Sequence, residues 1–100
     1  MYQISPELYV EIVENLFNKL EGRGYYSGSF SFEYCGITCR MVLSAIVHYE
    51  PKDVSVGYVG GVKDVVPVWW EFHTEAEDGE MLNDFSFNEL RKMIKCYKLL

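Results

Sequence analysis

Basic side chains are in short supply in this 100-residue chain: nine Lys and Arg stand against fifteen Asp and Glu, a formal net charge of -6. Phosphate backbones and anionic membranes are held chiefly by clustered bases, so a general attraction to either is disfavoured. Cysteine is equally sparse. Cys35, Cys39 and Cys96 are odd in number and form no CxxC pair, which argues against a disulfide framework and for reduced thiols. No apolar run approaches the ~18 to 20 residues that cross a bilayer, and the Met-Tyr-Gln-Ile start lacks the basic-then-apolar pattern of a secretion signal. A cytoplasmic setting is the expectation. Chemistry-bearing motifs are missing as well: there is no phosphate loop, nucleophile elbow or cofactor fingerprint, so no cofactor is expected.

What the chain has in quantity is apolar and aromatic residues, enough for one core in a single domain over residues 1–100. A long β-branched and aliphatic run, Ile37 to Tyr49, contains neither Gly nor Pro and reads as the middle strand of a sheet. Its core parity is Ile37, Cys39, Met41, Leu43, Ala45, Val47 and Tyr49. Before it, Phe30, Phe32 and Tyr34 alternate with Ser29, Ser31 and Glu33, giving a half-buried strand over Ser29 to Tyr34. With Cys35-Gly36 as a two-residue turn, Tyr34 opposes Ile37, Phe32 opposes Cys39 and Phe30 opposes Met41, so every apolar residue meets the core parity of its partner.

Helices bracket these strands. Ser5-Pro6-Glu7 is a helix start, and Leu8, Tyr9, Ile12, Val13, Leu16, Phe17 and Leu20 recur on one face of a helix from about Pro6 to Glu21. Gly22 and Gly24 supply its stop. At the other end, Ser86-Phe87-Asn88-Glu89 spells a capping box, followed by an apolar stripe of Phe87, Leu90, Met93, Ile94 and Tyr97. Arg91, Lys92, Lys95 and Lys98 lie off that stripe. Between the long strand and the last helix, Val66, Val68, Trp70 and Phe72 form the core parity of a third strand, with Pro67 suited to an edge. The stretch from Val54 to Val66 reads as a loop or a loose extra hairpin around Gly60-Gly61. Glu75 to Glu80 reads as an acidic turn, with Met81-Leu82 re-entering the core.

The order αβββα predicts an α+β fold: a three-stranded antiparallel sheet, a possible extra hairpin at 54–66, and two helices on one face. The other face is then open. It would carry Arg40, Val42, Ile46 and His48 from the second strand and Trp69, Glu71 and His73 from the third. A tryptophan beside Val42 and Ile46 is costly to leave in water, and tryptophan and arginine dominate many interfaces. The expectation is a non-enzymatic protein-binding or self-associating surface, with Trp69 as anchor and Arg40, Glu71 and His73 as its polar rim. The plainer alternative packs Trp69 under the 54–64 excursion or a helix end.

Other chemistries are weaker. His73 between Glu71 and Glu75, with His48 on the same face, makes an acid-base pair conceivable but brings no nucleophile. Cys35 and Cys39 with a histidine lack the second ligand pair of a zinc site, so no metal is expected. Glu7, Glu11, Glu14 and Glu21, with Glu75, Glu77, Asp78 and Glu80, could imitate nucleic-acid charge and occupy a DNA-binding protein. The helix-strand-strand-strand-helix order also resembles double-stranded RNA-binding domains, in topology alone: Asn88 and Glu89 stand where those domains present lysines, and Cys35-Gly36 offers no base. Finally, VPVWWEFHT and LNDFSFNELRKMI resemble segments of a small uncharacterised protein family of gut Bacteroidetes. That resemblance implies a bacterial, cytoplasmic context and transfers no activity.

Overall fold

The computed structural model describes residues 1–50 and 61–97, in the order α1 (Pro6–Leu20), β1 (Tyr25–Tyr34), β2 (Ile37–Tyr49), β3 (Val62–Ala76), β4 (Gly79–Met81) and α2 (Phe87–Tyr97). The fold is α+β, and its sheet is an antiparallel meander of four strands, β1-β2-β3-β4, rather than three. The added strand, β4, has only three residues and pairs with Thr74–Ala76, inside what the sequence presents as an acidic turn. Residues 62–66, expected in a loop or hairpin, are the first third of β3. The rest of that excursion, including Val54 to Gly60, lies outside the described residues, as does Lys98.

α1 begins where the sequence says it should. Ser5 is its N-cap and its hydroxyl accepts from the Leu8 amide at 3.2 Å, with Pro6 in the first turn. It ends one residue early: Glu21 (φ 53) and Gly22 (φ 74) both turn left-handed, and Arg23 N–H closes on Leu20 O. The face expected to be apolar is the buried one, with Leu8, Ile12, Val13 and Leu16 fully enclosed.

The β1–β2 hairpin has the anticipated register, Tyr34 to Ile37, Phe32 to Cys39 and Phe30 to Met41, and it continues unbroken to Tyr25 and Ile46. Cys35 (φ 49) and Gly36 (φ 80) make the turn, both with the positive φ that matches the twist of a two-residue hairpin. Cys39, Met41, Leu43, Ala45 and Val47 are buried on the helix side, against α1, α2 and Phe30.

β3 departs from simple alternation. Ser44 pairs with Trp69 but Ala45 pairs with Pro67, so Val68 is an extra, bulged residue, 62% exposed. Beyond the bulge the parity reverses: Val65 is fully buried opposite Val47, whereas Val66 sits opposite Ile46 on the open face. Of the four residues expected in the core, Phe72 packs on Phe85 at 4.8 Å and Trp70 leans on Phe87 at 5.3 Å but stays 42% exposed. Val66 and Val68 are outside the core. Pro67 stands beside the bulge, on the stretch of β3 that β4 does not cover, an edge position where its missing N–H breaks no regular ladder.

α2 is capped by half of the predicted box. Ser86 Oγ accepts from Glu89 N–H at 3.4 Å, but Glu89 turns to Lys92, and the Ser86 amide instead donates to the Tyr9 hydroxyl at 3.0 Å. That bond ties the two helices together. A second tie is the short parallel bridge of Tyr2 to Asn83, with Tyr2 N–H on Leu82 O at 2.7 Å.

Candidate functional interface

Because both helices lie on the Cys39–Met41–Leu43 side of β2, the alternate residues Thr38, Arg40, Val42, Ser44, Ile46 and His48 face away from them. Pairing then sets the rows of this face. From the hairpin end they are Glu33-Thr38-Glu75, Ser31-Arg40-His73, Ser29-Val42-Glu71, Ser27-Ser44-Trp69 and Tyr25-Ile46-Val66. Arg40, Val42, Ile46, Trp69, Glu71 and His73 are therefore brought onto one surface in neighbouring rows. Trp69 is 58% exposed, which rules out its packing as a core residue. Val42 and Ile46 are its diagonal neighbours across the β2–β3 pair, within reach of a long side chain.

The face has two chemically different ends. Around Trp69, the exposed Tyr25 and Ile46 and the half-buried Val66 make an apolar end. The other end is polar, a shallow depression of about 180 Å³ lined by Ser31, Thr38, Arg40, His73, Glu75 and Glu80. There His73 lies between two carboxylates: Nδ1 is 2.5 Å from Glu80 Oε1 and Nε2 is 3.1 Å from Glu71 Oε1. A neutral ring has one N–H and can donate to only one of these acceptors, whereas the doubly protonated ring would donate to both. Thr38 donates its hydroxyl to Glu33 at 2.8 Å.

The sequence missed three contributors. Glu80 arrives on β4, a strand too short to show a pattern. Val66 reaches the face only through the bulge. Tyr25 was findable, since it shares the parity of Ser29, Ser31 and Glu33 once β1 is extended through Tyr26-Ser27-Gly28.

The expected acid-base pairing forms differently. The second carboxylate at His73 is Glu80, not Glu75, and His48 stands eight residues along β2 from the row of Arg40 and His73, about 26 Å at the usual rise. No serine, threonine or cysteine hydroxyl or thiol is hydrogen-bonded to His73 among the described residues. Nor do three or more His, Cys, Asp or Glu converge there as a metal site among those residues. Cys39 is buried on the helix side, where burial and the nearby Glu33 charge push its thiol up to about 11, whereas Cys35 is exposed at the turn.

Other charged groups are dispersed. Arg91, on α2, grips Asp64 with two bonds of 3.1 and 2.6 Å, and Lys92 pairs with Glu89. The acidic residues of α1 lie in the helical layer, while Glu75 and Glu80 pair on the sheet. They form no single acidic track. No helix among the described residues is long and apolar enough to cross a membrane. Comparison with protein-family models, curated proteins and solved structures finds no match to this chain.

Proposed function

We propose that this chain is a non-enzymatic protein-binding module whose open sheet face receives either a second copy, face to face, or a different protein. Trp69 is the anchor, Val42 and Ile46 widen the apolar contact, and Arg40, Glu71 and His73 form the polar rim. The observation that carries this reading is the 58% exposure of Trp69 among Tyr25, Ile46 and Val66 on one continuous surface. Large exposed aromatics ringed by polar groups are the usual anatomy of a recognition site. The occupation of His73 by two carboxylates, with no hydroxyl or thiol bonded to it among the described residues, supports binding over catalysis.

Two other readings draw less support. A nucleic-acid mimic would need its carboxylates on one track, and Glu80 and Glu21 already have partners in His73 and Arg23. Double-stranded RNA binding through α2 would need free bases, yet Arg91 is held by Asp64. The test is Trp69→Glu, compared with the native chain by circular dichroism, light scattering and affinity capture. The expected result is a folded variant that loses a face-to-face dimer or a captured protein. Unchanged oligomeric state together with an unchanged set of captured proteins would overturn the reading.

A further inference from the structure

The two edges of the sheet are built differently. Along β3 the outer edge is obstructed: Pro67 lacks an N–H, Val68 is bulged, β4 covers Thr74–Ala76, and the Asn83 amide occupies the Phe72 carbonyl at 3.1 Å. These are the devices by which sheets avoid unwanted pairing. β1 has none of them. It is ten residues long, pairs with β2 without a bulge, contains no Pro or Lys, and carries a single charge, Glu33.

Its free polar groups can be assigned. Tyr34 and Ile37 flank the two-residue turn, and Val47 N–H donates to Gly24 O at 2.9 Å, so the even residues of β1 exchange bonds with β2. The N–H and C=O groups of Tyr25, Ser27, Ser29, Ser31 and Glu33 therefore point away from the sheet, and among the described residues nothing bonds them.

We infer that β1 is a self-association edge: two copies pair β1 to β1, antiparallel about Ser29, and join two four-stranded sheets into one of eight strands. This register follows from the strand itself. Centring on Ser29 is the alignment in which all five outward-pointing residues find a partner: Ser29 with Ser29, Ser27 with Ser31, and Tyr25 with Glu33 of the second copy. Each such pair exchanges two backbone bonds. The strand's one carboxylate is set opposite a phenol and away from its own twin, so no like charges meet. Serines occupy the central rows and let the backbones approach. On the helix side the same register places the half-buried Phe32 against Tyr26 of the second copy, covering aromatic surface that the monomer leaves partly open. The inference uses the edge alone and stands whatever the open face binds.

Ser29→Pro is the incisive variant, because the amide it removes points outward and bonds nothing among the described residues. Ser29→Lys is the second, placing two ammonium groups in contact across the axis while keeping the amide. Light scattering over a range of concentrations should give a dimer for Trp69→Glu, in which pairing through the open face is abolished, and folded monomers when either Ser29 substitution is added to it. Hydrogen exchange of the native chain should show protection of the Tyr25, Ser27, Ser29, Ser31 and Glu33 amides that rises with protein concentration. A native monomer at millimolar concentration would overturn the inference. So would a Trp69→Glu dimer that survives both Ser29 substitutions, or one in which those five amides exchange freely.

Discussion

Asp64 is a residue whose ionisation bears on this fold. Its hydrogen bonds from Arg91 hold its carboxyl below the usual carboxylate range, with the Arg91 charge and the Val65 amide adding to the effect against the opposing cost of burial. A carboxylate depressed in the folded state stabilises at pH values above its unfolded value, near 3.9, and loses that contribution as the pH falls through its folded value. The stability gap between the native chain and Asp64→Asn is thus expected to be full at neutral pH and to close below about pH 4. Urea unfolding at several pH values measures it, and a gap that stays constant would contradict the assignment. Cys39 makes a second residue-scale prediction. Fully buried, with its thiol pushed up to about 11, it should resist an aromatic disulfide reagent in the native state, while the exposed Cys35 and Cys96 react. Three fast thiols in the folded chain would refute that.

Among the elements, the helices and the first hairpin were legible because each is fixed by a short-range pattern. Ser5-Pro6 starts α1, the 3.6-residue recurrence names its buried face, and the alternation of Phe30, Phe32 and Tyr34 against Ile37, Cys39 and Met41 permits one register. Where the sequence misled, the decisive partner was distant. The cap of α2 is completed by Tyr9, 77 residues away, and not by Glu89. β4 survives with three residues because Thr74 donates to Met81 O at 3.1 Å and Asn83 bonds both Thr74 and Phe72, an arrangement no local alternation announces. The open face was legible for Arg40, Val42, Ile46, Trp69, Glu71 and His73, but not for Glu80 or Val66, which depend on β4 and the bulge. The β1–β2 turn carries its own prediction. Cys35 holds a left-handed conformation that asparagine tolerates better, and Asn-Gly is the favoured pair for this turn. Cys35→Asn should raise unfolding stability by roughly 0.5 to 1 kcal/mol. No gain in the denaturation midpoint would count against the turn geometry.

For the molecule as a whole, the ends of the fold are closed by hydrogen bonds between its first residues and its last connection. Tyr2 N–H reaches Leu82 O, Asp84 N–H reaches Tyr2 O, and Ile4 N–H reaches the Asp84 carboxylate at 2.7 Å. At about 1 kcal/mol for each bond, deleting residues 1–4 should cost about 2 to 3 kcal/mol without changing the fold, measurable by thermal or urea unfolding. A truncated chain of native stability would show that this seam is only passive contact. The bulge at Val68 bears on how such a sequence can change over generations. Losing or gaining a codon within a strand ordinarily swaps its two faces, which is why such lesions are purged there. Val68 is an exception, since Trp69 and Pro67 already pair with adjacent residues of β2 around it. A lineage that lost this one codon would keep Val65 inward and Trp69 outward, and its third strand would read in plain alternation from Asp64 onward.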